Sequence, residues 1–168
     1  MTNKEKYKYA FALTSVASTG LSFIEDSLAR IMNNIIDLAY LRSFYILLSY
    51  NFELILKSRA VMLKNFSDKK AVNDELKNLG HDITKIGKNL GDTNLKELGV
   101  KEIVENDRQY KVITTDGKKI YIENFTKIRY DFLDDITRNV DSQEHAQIKE
   151  YAEIIASILT RVKEKNLR

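Results

Sequence analysis

Apolar residues recur every three or four positions along most of the chain, which is the spacing of one face of an α-helix. The stretch 41–65 is apolar almost all round, so it is predicted to be a helix in the centre of a bundle. The same pattern, with its interruptions, predicts further helices over residues 5–18, 21–40, 68–79, 81–90 and 124–137, and a last helix that starts after Asp141.

Glycines and short polar residues divide these helices. Gly20, Gly80 and Gly91 are predicted to end helices, because glycine adopts the left-handed conformation that often follows a last helical turn. Ser67 is predicted to cap the start of the helix over 68–79. The chain has no proline, which suits long uninterrupted helices.

One segment has a different period. "YKVITTDGKKIYIE" holds two β-rich runs around Asp116-Gly117, and Asp-Gly between such runs indicates a tight hairpin. Two strands alone are marginally stable, so the hairpin is expected to lean on the helices. The predicted fold class is all-α, a helical bundle with a small β-hairpin insertion at about 109–123, in a single domain over 1–168.

Composition narrows the chemistry. The chain has 168 residues and a formal charge of +3. It has no cysteine, so disulfides, thiolate metal sites and cysteine nucleophiles are excluded. No apolar run approaches the ~20 residues of a membrane span. The N-terminal lysines and short apolar stretch faintly resemble a secretion signal, but a first helix and a cytoplasmic protein are predicted. No metal or cofactor is predicted, because the acids at 131, 134 and 135 read as a solvated helix face.

The candidate catalytic residues lie in "TRNVDSQEH", where Arg138 is followed by six residues and then His145, one of two histidines in the chain. If the last helix starts after Asp141, His145 lies in its first turn. There the helix dipole disfavours imidazolium while Asp141 and Glu144 favour it, which leaves a histidine suited to general acid–base work. The alternative is that this segment is simply a solvated helix entrance.

A second polar group combines two helices. Glu53 and Lys57 are four residues apart, and His81 and Asp82 start a later helix. These residues either form a binding site or serve structure, as an intrahelical ion pair and a helix cap. Lysines at 64, 69 and 70 and the basic residues at the C-terminus are candidates for contacts with an RNA backbone, although the acids near them weaken their field.

Two segments carry a family resemblance. "SYNFELILKSRAVML" resembles the E-x-x-L-K-x-x-L helix of the HEPN superfamily, and "LGHDITKIGK" resembles the G-H-x-L helix that follows it. HEPN proteins are small α-helical domains that usually pair, so the resemblance implies a HEPN-like bundle and a homodimer. Arg129-Tyr130 stands where many relatives have Arg-Tyr-Pro, but Asp131 replaces the proline, which puts a binding role for Arg129 in doubt.

Many HEPN proteins are metal-independent ribonucleases with an Arg, four to six residues, then His. Arg138, Asn139 and His145 fit that pattern in its longest form. The resemblance implies that His145 moves protons, Arg138 stabilises the charged phosphorane and Asn139 orients the phosphate, in a cleft shared by two protomers. The expected function is RNA cleavage of a toxin or phage-defence type. The alternative is a non-catalytic helical module that binds a protein partner or a nucleotide.

Overall fold

The computed structural model of this protein describes residues 1–31, 38–106, 108–124 and 142–168. Within these ranges the chain forms six helices and three strands: α1 (Asn3–Ile31), α2 (Leu38–Leu63), α3 (Lys69–Leu79), α4 (Ile83–Leu90), α5 (Asp92–Glu97), β1 (Val100–Asn106), β2 (Gln109–Thr114), β3 (Lys119–Glu123) and α6 (Ser142–Asn166). None of the described helices is long and apolar enough to cross a bilayer. The fold is mostly helical with one small sheet, as expected in its coarse outline.

Helix α2 is the most deeply buried element. Helices α1, α4 and α6 and strand β3 all pack against it. Its large side chains are almost inaccessible to solvent, among them Phe44, Leu48, Phe52, Ile55 and Leu56. Burying one such side chain contributes ~1.5–3 kcal/mol, so this helix anchors the core. The predicted central helix over 41–65 is confirmed, with a start three residues earlier than expected.

The end of α2 is held by the beginning of the chain. Lys6 is 4% exposed, and its Nζ donates to the carbonyls of Met62 at 3.2 Å and Lys64 at 2.9 Å. The Met1 ammonium donates to the Phe66 carbonyl at 3.0 Å. The last carbonyls of a helix have no partner within it, and cations there also complement the helix dipole.

The prediction that Gly20 ends a helix is wrong. Helix α1 runs without a break from Asn3 to Ile31, with Gly20 in its middle. A β-carbon built at Gly20 would overlap Oδ1 of Asn51 on α2 and lie 2.8 Å from its Cγ. Glycine is therefore required because two helices approach closely at this point, and this role does not end the helix.

The boundaries of the short helices follow the predicted glycines but not the predicted cap. Gly80 and Gly91 follow α3 and α4 with φ of 62° and 78°, as expected. The N-cap of α3 is Asp68 and not Ser67: Asp68 Oδ1 accepts the Ala71 N–H at 2.9 Å. Ser67 Oγ instead donates to the Asp68 carboxylate at 3.2 Å, so it supports the cap.

The hairpin around Gly117 is confirmed, but it belongs to a three-stranded sheet. The strands pair antiparallel in the order β1-β2-β3, with Val112 opposite Ile103 on one side and Ile120 on the other. Strand β1 and the short helix α5 before it were not predicted. The inner face of β2 and β3 is buried, and it consists of Tyr110, Val112, Thr114, Ile120 and Ile122.

Helix α6 starts where predicted and buries the predicted face. The residues predicted for its core face are each under 9% exposed: Ile148, Tyr151, Ala152, Ile155, Ile158, Leu159 and Val162. Ile154, which was not predicted, is also buried. They join the buried residues of α1, α2, α4 and the sheet in one cluster. The helix predicted over 124–137 lies outside the described residues, apart from its first residue, Asn124.

We predict that Gly20→Ala destabilises the protein. At an exposed helix position this change is worth up to ~1 kcal/mol in favour of folding. Here the added methyl group must displace the buried Asn51 side chain, and such overpacking costs ~1–3 kcal/mol. Urea denaturation followed by circular dichroism measures the free energy of unfolding.

The double variant Gly20→Ala/Asn51→Ala is the control. It removes the side chain that clashes, and Asn51 Nδ2 is buried without a hydrogen-bond partner among the described residues, so its loss is tolerable. We expect the methyl group at position 20 to be neutral or stabilising in the Asn51→Ala background. A single Gly20→Ala variant more stable than the parent would contradict the close-approach argument.

Candidate functional site

The site begins with a charged pair inside α2. Glu53 and Lys57 are 6% and 7% exposed, and Lys57 Nζ donates to Glu53 Oε1 at 2.7 Å. Four residues separate them, so they lie on the same side of the helix one turn apart. Two charges taken out of water must neutralise each other, which is why the sequence can carry them in its most buried helix.

His81 completes the group from another part of the chain. Gly80 turns the backbone after α3, and the next residue places its imidazole against α2. His81 Nδ1 lies 3.2 Å from Oε1 and 3.1 Å from Oε2 of Glu53. The His81 side chain is 59% exposed while that of Glu53 is 8% exposed. Three of the predicted binding residues are therefore in direct contact, with the buried carboxylate between the two basic groups.

This arrangement suits acid–base chemistry. A proton on Nδ1 donated to Glu53 fixes the imidazole orientation and leaves Nε2 as a basic nitrogen. The half-exposed ring is within reach of a ligand, whereas the carboxylate behind it is not. A histidine oriented by a carboxylate is the usual form of a general base, and the same contact also serves to fix the α3–α4 connection to α2.

Two further ionisable groups, Asp82 and Tyr110, lie near the cluster of Glu53, Lys57 and His81. Asp82 caps α4, and its Oδ1 accepts the Thr84 N–H at 2.9 Å and the Thr84 hydroxyl at 2.6 Å. Burial raises the pKa of Asp82, but the hydrogen bonds from Thr84 and from the Lys85 N–H outweigh it and lower the pKa. Tyr110 is 2% exposed. Burial, together with the negative charge of Asp82 and Glu105, raises its pKa to about 12.

The other predicted site residues are not placed together by the described structure. Arg129, Arg138 and Asn139 lie outside the described residues. His145 is described only as a backbone position in the first turn of α6, as predicted. That end of α6 is tied to α2, because the Tyr45 hydroxyl donates to Gln147 Oε1 at 3.2 Å.

The lysines predicted to contact RNA differ in their surroundings. Lys64 forms an ion pair with Glu75, while Lys69 and Lys70 are exposed in the first turn of α3. Among the described residues no three His, Cys, Asp or Glu side chains are grouped in a way that could hold a metal ion. Lys69 and Lys70 are thus the more exposed of the three lysines.

The sequence did not predict a polar cleft between the hairpin turn and α6. It measures about 150 Å³ and is lined by residues of both, among them Asp116, Lys118, Glu153, Ser157 and Arg161. The Arg161 guanidinium lies directly on Gly99, where a β-carbon would overlap Nη1. The spacing of residues 150, 153, 157 and 161 on one face of α6 is the only sequence signal of this cleft.

These features define the described part of the chain as a helical protein with a three-stranded antiparallel sheet and a buried carboxylate that holds an exposed histidine. Comparisons with protein-family models, with curated proteins and with solved structures found no match. What the protein does must therefore be inferred from its own residues.

We predict that Lys57→Met strongly destabilises the protein. It leaves Glu53 buried with the exposed His81 as its one remaining partner in the described part of the chain, and breaking a buried pair costs ~3–5 kcal/mol. The matched control is Lys64→Met, since the Lys64–Glu75 pair is more exposed and is worth ~0–1 kcal/mol. If urea denaturation showed the same loss in the free energy of unfolding for both variants, burial would not be what makes the Glu53–Lys57 pair important. The double variant Glu53→Leu/Lys57→Met should recover most of the stability lost in Lys57→Met.

We predict that Tyr110 makes the protein less stable as pH rises above 10. The unfolded chain releases the phenol proton near pH 10, while the folded chain keeps it until about 12. Stability is therefore full below pH 10 and falls by up to ~2–3 kcal/mol towards pH 12. Urea denaturation from about pH 9 to 11 should show a shallower decline for Tyr110→Phe. Parallel pH profiles for both proteins would contradict this assignment.

Proposed function

We propose that this chain is a HEPN-like helical protein that cleaves RNA without a metal ion, with Arg138, Asn139 and His145 at the reaction centre. The observation that supports it most is the contact of His81 with Glu53. This contact joins the two segments on which the resemblance rests, since one lies on α2 and the other at the start of α4. A chance likeness of two short motifs does not require them to meet.

The reaction needs only a base, an acid and a positive charge. A base removes the proton of the ribose 2′-hydroxyl, the 2′-oxygen attacks the neighbouring phosphorus, and the 5′-oxygen leaves with a proton from the acid. The products are a 2′,3′-cyclic phosphate and a free 5′-hydroxyl. His145 transfers the protons, Arg138 stabilises the negative charge on the phosphorane, and Asn139 orients the phosphate. Two protomers of a homodimer supply two such sets.

The chain has two histidines, and each has a separate role in this proposal. His145 acts on RNA from the first turn of α6. His81 holds the α3–α4 connection against α2 through the buried Glu53, and it is a positioning residue. Should His81 prove to be the base, the carboxylate behind it would supply the orientation that such a base needs.

The test is cleavage of a single-stranded RNA by the purified protein in EDTA. We expect Arg138→Ala and His145→Ala each to lower the rate by about 10²–10⁴-fold. Asn139→Ala should lower it less. The matched control is Arg30→Ala, since Arg30 is exposed at the end of α1, and this variant should cleave within about threefold of the parent.

Several outcomes would contradict the proposal. One is cleavage of an RNA that carries a 2′-deoxy substitution at the cleaved nucleotide, because that substrate lacks the nucleophile. Equal rates for the parent, Arg138→Ala and His145→Ala would show that a contaminant cuts the RNA. Loss of activity in His81→Ala with an unchanged His145→Ala rate would move the reaction centre to the Glu53–His81 pair.

The alternative is a non-catalytic helical module that binds a protein partner or a nucleotide. The cleft beside α6 is a candidate site for a small ligand, because Lys118 and Arg161 offer cations, Thr115 and Ser157 offer hydroxyl groups, and Asp116, Glu150 and Glu153 offer carboxylates around one small cavity. A parent protein that cleaves no RNA but binds a nucleoside triphosphate in calorimetry, with binding lost in Arg161→Ala, would establish this reading.

A further inference from the structure

The cleft between the hairpin turn and α6 is lined by charges of both signs that do not pair with one another. Asp116, Glu150 and Glu153 bring carboxylates to it. Lys118 and Arg161 bring positive charges. None of these five side chains takes part in an ion pair with any residue that the structure describes. Opposite charges around one small cavity are thus held apart, and a ligand that carries both signs can satisfy them together.

The basic end of the cleft is organised around Gly99. The Arg161 guanidinium packs on this buried glycine, which has a φ of 84°, and any side chain at position 99 would displace it. The Gly99 carbonyl in turn accepts the Thr115 N–H of the hairpin at 2.9 Å. Glu164 follows Arg161 at the spacing of an intrahelical ion pair, but no such pair forms in the described structure. A guanidinium placed in this way can bind a carboxylate through two parallel hydrogen bonds.

The hairpin supplies a carboxylate whose charge is maintained. The Thr114 hydroxyl donates to the Asp116 carboxylate, and this hydrogen bond is the main reason that the pKa of Asp116 is lowered. Asp116 is therefore ionised at neutral pH. The turn thus adds negative charge to the cleft beside the positive charge of Lys118.

The charges on the α6 wall are sorted along the helix. Glu150 and Glu153 lie towards its start, Arg161 lies towards its end, and Ser157 is between them on the same face. The helix rises about 12 Å from Glu153 to Arg161, which is roughly two turns. This wall therefore has an acidic end and a basic end, with a hydroxyl group between them.

The volume of the cleft limits the size of a ligand. It measures about 150 Å³, whereas sites for drug-sized ligands usually measure ~300–1,000 Å³. A whole nucleoside triphosphate exceeds this space, and its phosphates would meet the three carboxylates of the cleft. A small anion or a small cation would pair with one set of charges and leave the other set without a partner.

We propose that this cleft binds a small zwitterion, a molecule with one ammonium group and one carboxylate at the two ends of a short carbon chain. The ligand carboxylate pairs with Arg161, and the ligand ammonium pairs with Glu150 and Glu153. Because the two ends of the α6 wall are about two turns apart, several carbon atoms between the ligand charges fit better than the single carbon of glycine. The proposal goes beyond RNA cleavage and uses none of the residues assigned to that reaction.

The first test is isothermal titration calorimetry of the purified protein with 5-aminovalerate at low ionic strength. Valerate and pentylamine are the matched control ligands, because each has the same chain and lacks one of the two charges. We expect 5-aminovalerate to bind at least about tenfold more tightly than either, the usual effect of one hydrogen bond to a charged group. Glycine should also bind more weakly, since its two charges are too close together to reach both ends.

Variants of the protein test the two ends of the cleft separately. Arg161→Ala should weaken the binding of 5-aminovalerate by about 10–100-fold, because it removes the carboxylate partner. Glu153→Gln keeps the size of the side chain and should weaken binding by about threefold to tenfold, since Glu150 remains. The matched control is Lys149→Ala, because Lys149 is exposed on α6 and does not line the cleft. Circular dichroism verifies folding, and Glu153→Gln tests the site even if Arg161→Ala does not fold.

The other outcomes overturn the proposal. If neither glycine nor 5-aminovalerate shows saturable binding, the cleft is not a site for zwitterions. Valerate that binds as tightly as 5-aminovalerate would leave an anion site, and pentylamine that does so would leave a cation site. An equal loss in Lys149→Ala would place the binding elsewhere. Binding of a nucleoside triphosphate that is lost in Arg161→Ala would assign the cleft to nucleotides. Each of these results leaves the RNA cleavage assay as an independent test of the proposed function.

Discussion

The burial of α2, complete on every side over residues 51–58, is the constraint on which the rest of the structure depends. Its apolar residues supply the centre of the core, and α1, α4, α6 and β3 are arranged around them. Charges at its most buried positions need a partner, so Glu53 and Lys57 neutralise each other within it. The carboxylate keeps one more acceptor site, and the connection after α3 supplies His81 to it. Core packing thus determines where the exposed imidazole lies.

The long amphipathic helices were predictable because their pattern repeats over many turns. The buried side of α6 follows directly from the spacing of its apolar residues. Gly20 was misread because the sequence displays a glycine but not the Asn51 side chain that it must accommodate. Strand β1 was missed because Lys101, Glu102 and Glu105 break the apolar alternation that predicts a strand. Its pairing with β2 supplies the stability that its own residues do not.

The candidate site, like the fold, was predictable from the sequence only in part. The spacing of Glu53 and Lys57 is enough to predict that they pair, because both lie on one helix. Their contact with His81 depends on the path of the chain through α3, which no local pattern specifies. The cleft beside α6 combines Gly99, Asp116 and Arg161 from three separate segments, so it becomes visible only in the folded chain. Arg138 and Asn139 remain predictions from the family resemblance.

The charges of β1 also have a consequence for solubility. This strand is at the edge of the sheet, and an edge offers unpaired backbone groups to any extended segment of another molecule. Lys101, Glu102 and Glu105 are exposed along it, and each must lose its hydration if a foreign strand is added. The charged side chains that break the strand pattern of β1 thus also protect its edge against fibrillar aggregation.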